Sequence, residues 1–88
     1  MVSPHCKKRI EERNINIDLE MLEFLVKKSE GKNVAFILGE TKFLGDDNYI
    51  ILIVRNNVAV TIEIRRKSQT VTRHSLNVDT VSDYPCLF

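Results

Sequence analysis

Apolar positions change their spacing near residue 33, which divides the chain into a helical part and a sheet-forming part. Ser3-Pro4 marks a helix start, since a serine oxygen caps free amides and proline at the first helical position loses no needed donor. A first helix is expected over about 4–13, with Cys6 and Ile10 as a thin apolar stripe. Asp18 is the expected cap of a second helix over about 19–30. There Ile17 and Leu22 fit a hydrophobic staple, and Leu22, Leu25, Val26 and Ser29 share a face widened by Met21 and Phe24. Gly31 is the C-terminal glycine.

From Asn33 the pattern is that of strands, over about 33–44, 49–55, 58–66 and 69–76, followed by a tail over 82–88. Gly39 marks a bulge or bend in the first strand. Gly45-Asp46-Asp47-Asn48 and Lys67-Ser68 have turn chemistry, and Asn56-Asn57 suits a two-residue hairpin loop because asparagine tolerates positive φ. The expected fold class is α+β: two N-terminal helices packed on one face of a four-stranded antiparallel sheet, in a single domain over 1–88.

The shortest hairpin loops fix which side chains share a face. A two-residue loop at Asn56-Asn57 puts Tyr49, Ile51 and Ile53 with Val60, Ile62 and Ile64 on the core face, against Leu22, Leu25, Val26 and Phe36. Thr61, Glu63, Arg65, Thr70, Thr72 and His74 then gather on the opposite face. Arg73 falls on the core face in this register, so it must reach the sheet edge unless the last turn is longer and its strand flips. Ile50, Leu52 and Val54 share the polar face and are too apolar for water. Their expected cover is the tail with Leu87 and Phe88, a second copy of the chain, or a partner protein.

The polar face carries a set of groups suited to metal-free RNA cleavage. A base deprotonates the 2′-hydroxyl, a cation holds the phosphate as charge builds, and an acid protonates the leaving oxygen. Glu63, Arg65 and His74 are the candidate catalytic residues: Arg65 for the phosphate, His74 for proton transfer, Glu63 as the second proton-transfer group or as the residue that orients His74. Arg55 and Arg73 are further phosphate contacts, and His5 and Arg9 approach from the first helix, where Arg13 continues their i, i+4, i+8 row. A plainer reading fits the same residues, because antiparallel sheets often keep one polar face in water. The helix row likewise suits a solvated side paired with Glu11 and Glu12.

Charge refines this picture. The net charge is +1, but residues 1–17 carry +2, residues 18–48 −3, residues 49–74 +4 and residues 75–88 −2. That is a local basic patch rather than a general polycation. Hydrophobic residues are 43% and charged residues 28%, which suits a packed fold and not a disordered one. No apolar run approaches a membrane span, and the first nine residues lack the apolar core of a signal peptide. A cytoplasmic location with Cys6 and Cys86 as free thiols is therefore expected. No Cys-x-x-Cys and no paired histidines occur, so neither a metal nor a cofactor is expected.

The order of elements, the opening His5-x3-Arg9-x3-Arg13-Asn14-Ile15, and the stretch from Val60 through Arg65-Arg66 and Gln69 to Thr72 resemble the RelE-like ribonuclease toxins. These belong to the barnase–colicin–RelE superfamily, which has small bacterial and phage relatives. The chain departs from that pattern at Asn14, where the family has glycine, and in lacking a basic excess and an aromatic residue in the polar cluster. The resemblance implies a metal-independent endoribonuclease acting on RNA, neutralised by an antitoxin protein. The residues alone equally allow a non-catalytic interaction or regulatory protein of bacterial or phage origin, which binds protein or RNA through its sheet face.

Overall fold

The computed structural model describes residues 1–68 and 71–83. Helix α1 (Pro4–Glu12) and helix α2 (Leu19–Lys28) precede strands β1 (Val34–Phe43), β2 (Asp46–Arg55) and β3 (Val58–Arg66). A short helix α3 (Arg73–Leu76) and strand β4 (Thr80–Asp83) follow. Both N-terminal helices begin where the capping chemistry requires: the Ser3 side chain accepts from the Cys6 amide, and the Asp18 side chain from the Glu20 amide. The hairpin loop at Asn56-Asn57 has φ of 50° and 62°, the left-handed pair that asparagine tolerates. The first hairpin turns one step earlier than its polar residues suggest. Leu44 and Gly45 take φ of 52° and 84°, and β2 already begins at Asp46.

Strand order is β3-β2-β1-β4, with β1–β2 and β2–β3 antiparallel and β1–β4 parallel. The sheet is thus mixed, and this corrects the expected all-antiparallel meander. Residues 69–76 do not form the fourth strand: residues 69 and 70 lie outside the described residues, and Arg73–Leu76 is helical. Thr72 and Ser75 explain the helix, since each accepts a hydrogen bond from the other's backbone amide in a reciprocal cap. Asn77 ends it in the left-handed conformation. The edge beside β1 is then taken by Thr80–Asp83.

The deeper reason for this detour is that both faces of the sheet are apolar. On one face Cys6 of α1 and Leu22, Leu25 and Val26 of α2 are buried against Val34, Phe36, Leu38, Ile50, Leu52, Val54 and Ile62. On the other, Ala35, Ile51 and Ile53 are buried under Leu76 and Val78, with Val71 and Val81 packed alongside. The chain after β3 therefore crosses the second face and supplies its cover. A strand added beside β3 would have left that face in water.

The pairing of β2 with β3 overturns the expected assignment of faces. Val54 pairs with Ala59, but Ile53 pairs with Thr61, so Val60 is an extra residue in β3. Beyond it every partner shifts by one: Leu52 faces Ile62, Ile51 faces Glu63, and Tyr49 faces Arg65. Ile50, Leu52 and Val54 consequently lie on the helix face and are fully buried or nearly so. They offer no surface to a partner or a second copy. The expected core is otherwise kept, except that Tyr49, Val60 and Ile64 are only partly buried and that Tyr49, Ile51 and Ile53 pack on the second face. A register shift between Ile37 and Gly39 matches the irregularity that Gly39 marks in β1. The tail over 84–88, with Leu87 and Phe88, lies outside the described residues. Among the described residues, no helix is long and apolar enough to cross a membrane.

Two measurements check this core. Ile62→Ala, at a site only 1% exposed, should cost ~2–5 kcal/mol in chemical denaturation. The Cys6 thiol is buried among apolar groups, and loss of hydration pushes its pKa from 9.0 to about 11. An unfolded chain ionises this thiol first, so stability is intact below pH 9 and falls by ~1.4 kcal/mol per unit as pH rises to 11. In a Cys86→Ser background, that decline should appear in urea titrations and vanish in Cys6→Ala.

Candidate functional site

Two backbone bonds and one side chain place α1 beside the outer edge of β3. The Ala59 amide donates to the Met1 carbonyl at 2.8 Å, and the Ser3 amide donates to the Ala59 carbonyl at 3.0 Å. Val2 and Ala59 form a parallel bridge. The Ser3 hydroxyl donates to the Val60 carbonyl at 2.8 Å while accepting from the Cys6 amide at 3.1 Å. One serine thus caps α1 and ties its first turn to the extra residue of β3. The Lys7 amide then returns a bond to the Ser3 carbonyl, which completes the first helical turn.

From this anchor α1 presents its i, i+4, i+8 row toward β3. His5, Arg9 and Arg13 line one wall of a groove of about 330 Å³, and Thr61, Ile62, Glu63, Ile64 and Arg65 line the other. Glu63 and Arg65 sit two apart on one strand face and bind each other. The Arg65 Nε and Nη2 atoms both lie 3.1 Å from the same Glu63 carboxylate oxygen, Oε2. Each side chain stays about one-third exposed, so the pair belongs to the groove rather than to the core. Arg9 also approaches Glu12 on its own helix, at 3.9 Å, a weak surface pairing. Three arginines against one carboxylate make the groove cationic.

The far end of β3 is held separately. Lys67 reaches Glu40 of β1 at 2.7 Å and stands 5.4 Å from the centre of the Tyr49 ring on β2. The bond to Glu40 raises the lysine pKa above its ordinary value. The backbone of Lys67 donates to the Asp47 carbonyl, so β3 remains paired to its end.

The seven candidate residues separate into two groups. His5, Arg9, Glu63 and Arg65 meet in the groove. His74 and Arg73 do not: they lie on α3 and line a different cavity, so the expected grouping of His74 with Glu63 and Arg65 is overturned. Arg55 stands at the end of β2, where its Nη2 donates to the Asn77 carbonyl at 3.3 Å. Arg73 and His74 shift because residues 73–76 form a helix on the second face in place of a strand beside β3. Arg13 joins the groove although it is outside the set of candidates, and its place in the row His5, Arg9, Arg13 is the signal that finds it. Among the described residues, no group of three His, Cys, Asp or Glu side chains has the arrangement to hold a metal ion.

Compared with known proteins, the chain matches no family model, no curated protein and no solved structure.

Ser3 is the residue to test for the architecture. Ser3→Ala removes the helix cap and the bond to Val60 together and should cost ~1–2 kcal/mol in thermal or urea unfolding. Ser3→Asp, which keeps the capping acceptor but cannot donate to the carbonyl, should recover only the capping share.

Proposed function

We propose that this chain acts on RNA in the groove between α1 and β3, as a metal-independent endoribonuclease of RelE-like type in which His5 replaces His74 as the working imidazole. The observation that supports this is the meeting of His5 and Glu63 with Arg9, Arg13 and Arg65 around one opening. Cleavage of this kind needs no more than these group types. A base takes the proton of the 2′-hydroxyl, whose oxygen attacks the adjacent phosphorus. A 2′,3′-cyclic phosphate forms, and the 5′-oxygen leaves with a proton from the acid. In this reading Glu63, paired with the Arg65 guanidinium, is the base and His5 is the acid. Arg9, Arg13 and Arg65 hold the phosphate oxygens as negative charge builds on them.

A second reading rests on the Glu63–Arg65 pair. Both guanidinium donors are aimed at one carboxylate oxygen, an arrangement that orients Arg65 for binding without any proton transfer. The groove is then a contact for RNA phosphates in a non-catalytic regulatory protein. An antitoxin-like partner would, in either reading, act by covering the same groove.

Purified chain, single-stranded RNA and excess EDTA separate the two. The nuclease reading expects cleavage that survives EDTA, ends in cyclic phosphate, falls at least ~100-fold in His5→Ala and is unchanged in His74→Ala. Equal cleavage by wild type and His5→Ala would overturn it. A folded wild type that cleaves nothing yet binds RNA, with a salt dependence reduced by about one charge in Arg9→Ala, would establish the binding reading.

A further inference from the structure

The three candidate residues outside the groove are not scattered. Arg73 and His74 line a cavity of about 320 Å³ together with Asn33, Asn77, Val78 and Asp79. Its walls are tied by backbone bonds: the Val78 amide donates to the Arg73 carbonyl at 3.0 Å, and the Asp79 amide to the Asn33 carbonyl at 2.9 Å. The reciprocal cap of Thr72 and Ser75 fixes the turn from which Arg73 and His74 project. Arg55 adjoins the cavity through its bond to the Asn77 carbonyl, and its own Nε–H is buried with no hydrogen-bond partner. A buried donor of that kind is uncommon, and here it belongs to the side chain that braces Asn77.

The chemistry of the lining is specific enough to name a ligand class. One guanidinium, Arg73, and one imidazole, His74, line the cavity with one carboxylate, Asp79, and a second guanidinium, Arg55, is bonded to the Asn77 carbonyl beside it, so the cavity favours an anion. A bare anion has no use for Asp79, which would repel it. A ligand carrying hydroxyl groups beside its phosphate uses both, with the phosphate on the cations and the hydroxyls donating to the carboxylate. The amides of Asn33 and Asn77 can add both donors and acceptors. The volume lies at the small end of the range for small-molecule pockets, which suits a compact ligand.

We infer that this cavity is a second site, separate from the groove, that binds the phosphate monoester of a hydroxyl-bearing molecule such as a nucleoside monophosphate or sugar phosphate. Arg73 and His74 donate to the phosphate, Asp79 accepts from the hydroxyls, and Arg55 adds positive charge behind Asn77. The site stands whether or not the groove cleaves RNA.

The test is amide chemical-shift titration of the full chain at low ionic strength with adenosine 5′-monophosphate, inorganic phosphate and adenosine. The monophosphate should move amides 73–79 saturably, phosphate should do so more weakly, and adenosine should not. Arg73→Gln and, separately, His74→Gln should weaken the monophosphate ~10-fold or more while leaving the fold intact by circular dichroism. Asp79→Asn should weaken the monophosphate but not inorganic phosphate, and the groove variant Arg9→Ala should bind as wild type does. A 5′-phosphorylated RNA that moves the same amides when its 5′-hydroxyl counterpart does not would identify the ligand as a strand end. Action by the free monophosphate alone would identify a nucleotide. Absence of saturable shifts at 73–79, or shifts that Arg73→Gln and His74→Gln leave unchanged, would overturn the inference.

Discussion

Val60 is one residue more than β2 can pair, and the direction of every later side chain in β3 follows from it. Because strand side chains alternate, a single inserted residue exchanges the two faces for the rest of the strand. Ile62 is thereby directed into the helix-covered core, and Glu63 and Arg65 to the opposite side. The same bulge leaves the Val60 carbonyl available to the Ser3 hydroxyl. That bond sets where α1 begins, and so where His5, Arg9 and Arg13 stand relative to β3. The core and the groove are consequences of one local irregularity in the ladder, stabilised from outside by a helix cap.

The position of α1 also answers a problem that any edge strand poses. Unpaired amides and carbonyls along β3 would invite another chain to pair with them. The segment Met1–Ser3 pairs with Ala59, and α1 then lies along the strand, so that Ile62 is 1% exposed although it sits on an outer strand. Further along, Ile64 is partly exposed, and the strand ends in Arg65 and Arg66, followed by Lys67. A helix used to shield a sheet edge must keep some polar side toward the remaining opening. Here that side is His5, Arg9 and Arg13, and the groove results from the shielding.

Much of this was legible because it is written in short-range chemistry. Ser3-Pro4, Asp18 and Asn56-Asn57 act through bonds to neighbours within a few residues, and each forms the element its chemistry demands. The groove was legible in part, since the row His5, Arg9, Arg13 depends only on helical period, and Glu63 and Arg65 share a face in any register. What the sequence hid depends on distant partners. The bulge at Val60 is supported by Ser3, 57 residues away, and no turn rule applied to the hairpin alone can locate it. The stretch over about 69–76 was expected as a strand, yet Thr72 and Ser75 held the chemistry of a helix cap, and the choice was decided by an apolar second face that required cover.

That second face ties the two candidate sites into one argument about the sheet. Tyr49–Val54 is apolar on both sides, so a two-helix layer could shield only half of it. The chain after β3 had to cross the open side, placing Leu76 and Val78 on Ala35, Ile51 and Ile53. A crossing segment that buries its apolar residues must turn its polar ones outward, and in Arg73–Asp79 these are Arg73, His74, Ser75, Asn77 and Asp79. The gathering of Arg73, His74, Asn77 and Asp79 next to Arg55 and Asn33 is set by the parallel pairing of Val34 with Thr80, which brings the end of the crossing to the start of β1. The imidazole that the simplest register would have set beside Glu63 and Arg65 is instead carried on α3, whose Leu76 covers Ile51 and Ile53, and it lines the second cavity. The groove keeps an imidazole only because α1 supplies His5 to it.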